Sequence, residues 1–360
     1  MKGTLHLLRV FGIDIAVHWS FLLLIVWIVY RSAAQGVGMV ATLVAIVFVL
    51  TIFACIVLHE LGHALTAKAF GIGTRHITIL PIGGVAALER VPTQPGQEFL
   101  ITIAGPAVNV VIGVGLLGGV LLVGDLDMPA TTYSMAGTGF FLSLGVVNIA
   151  LAIFNMLPAF PMDGGRVLRA VLATRLDYAR ATAIAAGCGQ MMAVAFAAWA
   201  LLGGNPFLLL IAAFVFFGSK AEVAAARQRA VLTRQRVGAA MQTDIHALPV
   251  DAAIGEAAQI MLEGSQHDFP VLDAEGRLVG LLRREAIVEG MRSLGPNAPI
   301  SARVETDLPV LDENDDLAHA LDMLRTHGPA LAVMHQGRLV GLLSQEQLGR
   351  FLMLGGAPGR

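Results

Sequence analysis

Residues 53–70 read FACIVLHELGHALTAKAF, an apolar stretch interrupted by His59, Glu60 and His63. Residues four apart share one face of a helix, so His59 and His63 can direct two imidazoles at a single ion. In the resulting H-E-x-x-H pattern, Glu60 stands where it can take a proton from water held at that ion. The chemistry such a set performs is zinc-assisted hydrolysis. Packing is a poor alternative, because each ionisable group in a lipid-facing helix costs about 2.5–3.5 kcal/mol or more unless it meets a partner or a wet cavity.

Catalytic zinc takes three protein ligands and keeps a fourth position open. A carboxylate is therefore needed at the same depth on another element, and Asp163 is the candidate. It lies in NMLPAFPMDGGR, residues 155–166, where Pro158, Pro161, Gly164 and Gly165 deny the chain a continuous helix. Broken backbone at membrane depth persists only where it lines a cavity or is buried in protein. Taken alone, Asp-Gly-Gly favours a turn with an ordinary turn aspartate; its position in the same leaflet as His59 and His63 reverses that.

The elements that must position these residues follow from composition. The 360 residues are 56% hydrophobic and 14% charged, with a mean hydropathy of +0.72, and the apolar excess lies before about Ser219. That part is membrane and the remainder is not. A formal charge of −2 gives no footprint for nucleic acid, and two cysteines, Cys55 and Cys188, in apolar contexts are packing residues rather than a framework. Stretches long enough to cross, at roughly 17–25 residues each, lie near 13–31, 38–67, 99–123, 135–158 and 180–202, with a shorter sixth at 206–219. The first carries His18 and Trp19 and is longer than a signal core, so it is expected to be retained.

Basic residues alternate along the connections. Lys2 and Arg9 precede the first stretch; Lys68, Arg75 and Arg90 follow the second; Arg166, Arg169, Arg175 and Arg180 follow the fourth; Lys220, Arg227 and Arg229 follow the sixth. The connections between, 31–37, 124–134 and 203–206, hold Arg31 alone. By the positive-inside rule this gives six spans with both ends in the cytoplasm, in what the Gly-, Ala- and Val-rich composition suggests is a prokaryotic plasma membrane. Spans two and four then run in the same direction, and the motifs that end them meet in one leaflet.

Together, H-E-x-x-H at 59–63 and N-x-x-P-x-x-P-x-D-G at 155–164 resemble the site-2 protease family of intramembrane zinc metalloproteases, and AGPAVN at 104–109 is similar to that family's third-span signature. The resemblance implies that His59, His63 and Asp163 hold one zinc per chain, that Glu60 is the catalytic base, and that the substrate is a transmembrane or membrane-proximal segment of another protein, as in regulated intramembrane proteolysis. Asn155 and Asn148 are amides near the end of span four that could bind substrate backbone or a developing oxyanion. Interhelical packing is the other use of such amides, and Asn109 is expected to serve it. In RHITILPIGGVAAL, residues 75–88, Ile77, Ile79, Ile82 and Val85 flank Gly83 and Gly84 as a small hairpin, which either offers an edge to a substrate strand or seals the zinc cavity. Glu89 and Glu98 are expected in solvent or at the interface.

After the spans a charged, Ala-rich helix, 221–236, links to an internal repeat. GRLVGLL occurs at 276–282 and again at 337–343, each time after a hydrophobic strand and before a helical segment. The repeat resembles a tandem pair of CBS domains, 237–292 and 293–357. Such pairs imply clefts for adenine nucleotides, held by a Ser/Thr three residues and an Asp six residues beyond a glycine. Here Arg283 and Ala286 follow Gly280, and Ser344 and Gln347 follow Gly341, so neither copy has both. Arg283 and Ser344 remain the candidate phosphate and ribose contacts, with homodimerisation or substrate docking as the other use. The expected fold is a polytopic α-helical membrane protein of about six spans, residues 1–220, with a small β-hairpin and a C-terminal α/β CBS module. The competing class is a CBS-regulated metal or ion transporter, which needs neither Glu60 beside its ligands nor an open coordination position.

Overall fold

The computed structural model describes residues 3–81, 83–89, 92, 94–123, 137–264 and 266–354. Lys2, Ile82, Arg90 and the connection 124–134 lie outside them. The chain divides into two compact units, Met1–Ala226 and Arg227–Arg360.

The first unit opens with two strands, β1 (Thr4–Val10) and β2 (Ile13–His18), and two helices, α1 (Phe21–Ala34) and α2 (Met39–Ala69). Strands β3 (Thr74–Leu80) and β4 (Gly83–Leu88) precede α3 (Pro95–Val123), α4 (Thr138–Asn155), α5 (Asp163–Ala173), α6 (Tyr178–Gly203) and α7 (Pro206–Arg234). Five helices, α2, α3, α4, α6 and α7, are long and apolar enough to cross a membrane. Helix α1 is apolar but has 14 residues, about 21 Å at 1.5 Å per residue, short of a hydrocarbon core of about 30 Å.

The first expected span therefore begins eight residues late. Ile13, Ile15 and Val17 alternate with Asp14, Ala16 and His18, and period-two patterning prevails over mean hydropathy, so this segment is a strand. The expected hairpin is likewise half of a larger sheet, ordered β1-β2-β3-β4, in which β2 and β3 are parallel and pair Ile15 with Ile77 and Val17 with Ile79. The isoleucine face lies on α2: Ile13 and Ile77 pack with Leu61 and Ala64, and Ile15 and Ile79 with Phe53 and Phe21. This seats the sheet on the half of α2 that carries the histidines. Of the leucines flanking them, Leu58 and Leu65 face outward while Leu61 is buried.

The second unit contains one supersecondary pattern twice. Strand β5 (Leu248–Pro249), helix α8 (Ile254–Glu263), strands β6 (Phe269–Leu272) and β7 (Leu278–Leu282) and helix α9 (Arg284–Ser293) form the first copy. Its counterpart comprises β8 (Leu311–Asp312), α10 (Leu317–His327), β9 (Ala330–His335), β10 (Arg338–Ser344) and α11 (Gln345–Met353). Each three-stranded sheet has a parallel first pair and an antiparallel second pair. The copies also exchange backbone: Gln242, ahead of the first, bridges Leu342 of β10, and Glu305, ahead of the second, bridges Leu281 of β7. This accounts for the glycine of the repeated heptapeptide. A Cβ on Gly341 would stand 2.6 Å from the Gln242 carbonyl oxygen, and one on Gly280 would collide with the Glu305 carbonyl. Gly341→Ala is accordingly expected to destabilise the second unit by about 1–3 kcal/mol through overpacking. Faster amide exchange at Gln242 and Leu342 in the full-length protein is the readout.

Candidate metal centre

His59 and His63 lie one turn apart on α2, as the i, i+4 spacing dictates, and Asp163 is the first residue of α5. Asp163 reaches them because α4 ends at Asn155 and the segment carrying Pro158 and Pro161 returns the chain toward α2. Asp163 Oδ2 stands 3.2 Å from His59 Nε2 and 3.3 Å from His63 Nε2, and the two Nε2 atoms are 3.1 Å apart. Among the described residues these three form the one grouping of His, Cys, Asp and Glu positioned to share a metal ion.

The hydrogen-bond pattern fixes what these atoms present. His59 Nδ1–H donates to Asn109 Oδ1 at 3.0 Å, and His63 Nδ1–H donates to the Ile101 carbonyl at 2.7 Å. Both imidazoles therefore turn a lone pair inward from Nε2. Two such lone pairs and a carboxylate oxygen in one triangle repel each other unless a cation lies among them. Tetrahedral ligands at about 2.0–2.1 Å from zinc stand roughly 3.3 Å from one another, which is the spacing seen. His59 is 6% exposed, and the side chains of His63 and Asp163 are 13% exposed, so the triangle is enclosed yet reachable. The residues present fit zinc.

Small residues make the enclosure possible. A Cβ on Gly105 of α3 would collide with His63 Nε2 and stand 2.7 Å from His59 Nε2, and one on Gly62 would stand 2.9 Å from the Ala104 carbonyl. Gly164 and Gly165 press on the backbone of Met156, Leu157, Ala159 and Phe160, which folds the broken segment tightly under α5. Glu60, beside His59, lies against the sheet: a Cβ on Gly84 of β4 would come within 2.7 Å of Glu60 Cγ. The hairpin is thus in contact with the glutamate.

The remaining candidates are placed as follows. Asn155 is half-buried as the last residue of α4. Asn148 is fully buried, and its Nδ2 donates to the Leu144 carbonyl of its own helix at 2.8 Å. Asn109, expected only to pack, is 1% exposed and orients a candidate ligand. Its position in AGPAVN, with Gly105 one turn earlier on the same face, was the available signal. Glu98, expected in solvent or at the interface, is 4% exposed, because Arg169 reaches it and compensates the charge.

In the second unit a cavity of about 260 Å³ is lined by Gln242, Asp268, Arg284, Ser344, Gln347 and Arg350 among others. Burial raises the Asp268 carboxyl above the ordinary carboxylate range. Ser344 belongs to this cleft, where it caps α11 in a reciprocal pair with Gln347. Arg283 is engaged elsewhere: it is ion-paired with Glu305, and its guanidinium donates to the carbonyls of His327 and Ala330 at 2.7 and 3.3 Å.

Comparison with known proteins gives these sites a family. The profile of peptidase family M50 matches residues 47–135 and 117–196, and the CBS domain profile matches 237–293 and 301–353. A zinc metalloprotease of Methanocaldococcus jannaschii is 30% identical over 354 residues, spanning 98% of this chain and 97% of its own. The solved site-2 protease from Methanocaldococcus jannaschii is 36% identical, with a TM-score of 0.46, over 61% of this chain and 95% of that one. The relative matched end to end is a zinc metalloprotease, so the transporter reading is not favoured. With a zinc-compatible triangle on apolar helices, and with near end-to-end similarity to a zinc metalloprotease, the chain belongs to peptidase family M50: it is a multi-pass membrane metalloprotease of the site-2 type with two CBS domains.

Proposed function

We propose that the enzyme cleaves transmembrane or membrane-proximal segments of other membrane proteins near the cytoplasmic face, with His59, His63 and Asp163 as zinc ligands and Glu60 as general base. The observation that carries this reading is the triangle of Nε2, Nε2 and Oδ2 atoms 3.1–3.3 Å apart, with Glu60 next in the chain to one of its members. When bound, zinc supplies Lewis-acid polarisation and lowers the pKa of water toward about 7. Glu60 then accepts the proton that water loses as its oxygen bonds to the scissile carbon. The same carboxyl returns that proton to the amide nitrogen as the C–N bond breaks, so Glu60 ends as it began. Asn155, at the start of the broken segment, is the amide we assign to hold the substrate carbonyl oxygen. Asn148, fully buried and with its Nδ2 donating to its own helix, is the less suited of the two.

A substrate helix conceals its peptide bonds in its own hydrogen bonds and must be drawn out as a strand before cleavage. Strand β4 ends the described sheet and touches Glu60, which supports pairing of an extended substrate with its outer edge. We take α1 as the first crossing, its short length met by local thinning of the bilayer, and the alternation of basic residues as the guide to orientation, which puts both ends in the cytoplasm of a plasma membrane. The CBS pair is read as a regulatory or substrate-docking module that also joins two copies of the chain. Its open cleft is the place for an adenine nucleotide, contacted by Ser344 but not by the engaged Arg283.

Purified Glu60→Gln protein is expected to retain zinc while its cleavage of single-span substrates falls by about 10²–10⁴-fold, the usual share of a general base. Cleavage at the wild-type rate would remove Glu60 from the mechanism. Asp163→Asn is expected to lower zinc content in the isolated protein, and an unchanged metal-to-protein ratio would strike Asp163 from the ligand set. Replacing Asn109 by Leu, which keeps volume but removes the acceptor for His59 Nδ1–H, should weaken zinc binding by about 10–100-fold in chelator competition.

A further inference from the structure

Helix α5 has 11 residues and begins from a non-helical segment, so continuity with α4 does not fix where it points. Yet Asp163 is its first residue, and a ligand displaced by about an ångström no longer completes a site. At the N-terminal end, Gly164 and Gly165 hold it against the broken segment. Further along, six residues beyond Asp163, a single side chain ties it to everything around it.

That side chain is Arg169, 5% exposed. Its Nε and Nη2 donate to Glu98 Oε1 of α3 at 2.8 and 2.5 Å, and its Nη1 donates to Glu222 Oε2 of α7 at 3.1 Å. Its Cζ lies 5.1 Å from the Phe160 ring centroid, in the broken segment, and 4.8 Å from that of Tyr178, which starts α6. One guanidinium thus contacts α3, α6, α7 and the segment leading into α5. A planar fork can meet several partners in this way where an ammonium cannot. Helix α3 is also the element whose Asn109 and Ile101 orient the two imidazoles. The Arg169–Glu98 pair therefore references the carboxylate ligand to the same helix that references the histidines.

We propose that Arg169 is the positioning residue for Asp163, with Glu98 as its buried anchor and Glu222 as a second, more exposed arm that makes the placement of α7 an input to the metal centre. This inference rests on the reading of Asp163 as a zinc ligand. The arms differ: Glu98 has a side-chain exposure of 6% and Glu222 of 26%, so the first sets the position and the second adjusts it.

The test uses full-length protein in detergent, with Co²⁺ replacing zinc so that its visible bands report the ligand set. Arg169→Gln is expected to shift those bands toward the spectrum of Asp163→Asn, to weaken zinc binding by about 10–100-fold, and to lower kcat with KM unchanged. Arg169→Lys should recover only part of the loss. Glu222→Gln, which leaves the pair with Glu98 intact, should shift the bands in the same direction by less. A folded Arg169→Gln protein with the wild-type spectrum and zinc affinity overturns the inference. Should that variant fail to fold, Glu222→Gln decides: a shifted spectrum supports positioning and a wild-type spectrum overturns it. If Asp163→Asn itself leaves the spectrum unchanged, the ligand assignment fails and the inference falls with it, whereas a change in Asp163→Asn alone removes only the role of Arg169.

Discussion

Lipid offers no hydrogen bonds, so each polar group that enters the helix bundle must find its partner in the protein. Two imidazoles on α2 set that requirement, and the surrounding elements answer it. Helix α3 supplies the Asn109 amide oxygen and the Ile101 carbonyl to the outward nitrogens, and α5 supplies the Asp163 carboxylate to the inward ones. Helix α3 could not approach closely enough without Gly105, nor α5 without Gly164 and Gly165. The break after α4 follows from the same need, because an uninterrupted helix would carry Asp163 onward with α4 instead of back to α2.

The sheet is subordinate to this arrangement. Its isoleucine face covers the histidine-bearing half of α2, and β4 brings Gly84 up to Glu60. A glycine at that contact leaves the glutamate its rotamers while shielding it from one side. The same strand has its outer edge free of any described neighbour, so one short element both shields Glu60 and, in the proposed function, offers backbone to a substrate. These two uses are compatible because side chains and hydrogen-bonding edges project in perpendicular directions from a strand.

What could be read in advance divides by the range of the interaction. The pairing of His59 with His63 and the repeat of GRLVGLL depend on local spacing, and composition told membrane from non-membrane chain. The Ile13–His18 strand was obscured because its alternating residues are apolar enough on average to extend a hydropathy window; its pairing with β1 just before it and with β3, some sixty residues on, makes it a strand. Glu98 was misread for a related reason. It looks like an ordinary solvent-facing charge in its own neighbourhood, and a separation of 71 positions hides that Arg169 neutralises it in the interior. Asn109 carried a weak signal in its motif, but an amide in a membrane helix is ambiguous between packing and orientation until its acceptor is seen facing a ring nitrogen.

The exchange of backbone between the two CBS copies bears on how the protein is made. The backbone that bridges the first copy's sheet edge at Leu281 comes from Glu305, and the backbone that bridges Leu342 comes from Gln242. Neither copy is whole while the other is missing. As the chain leaves the ribosome, β7 of the first copy keeps an open edge until Glu305 has been synthesised, and a chain cut before that residue would leave the edge exposed to other strands. The duplicated segment is therefore built to fold as one unit, after the membrane part that precedes it in the chain.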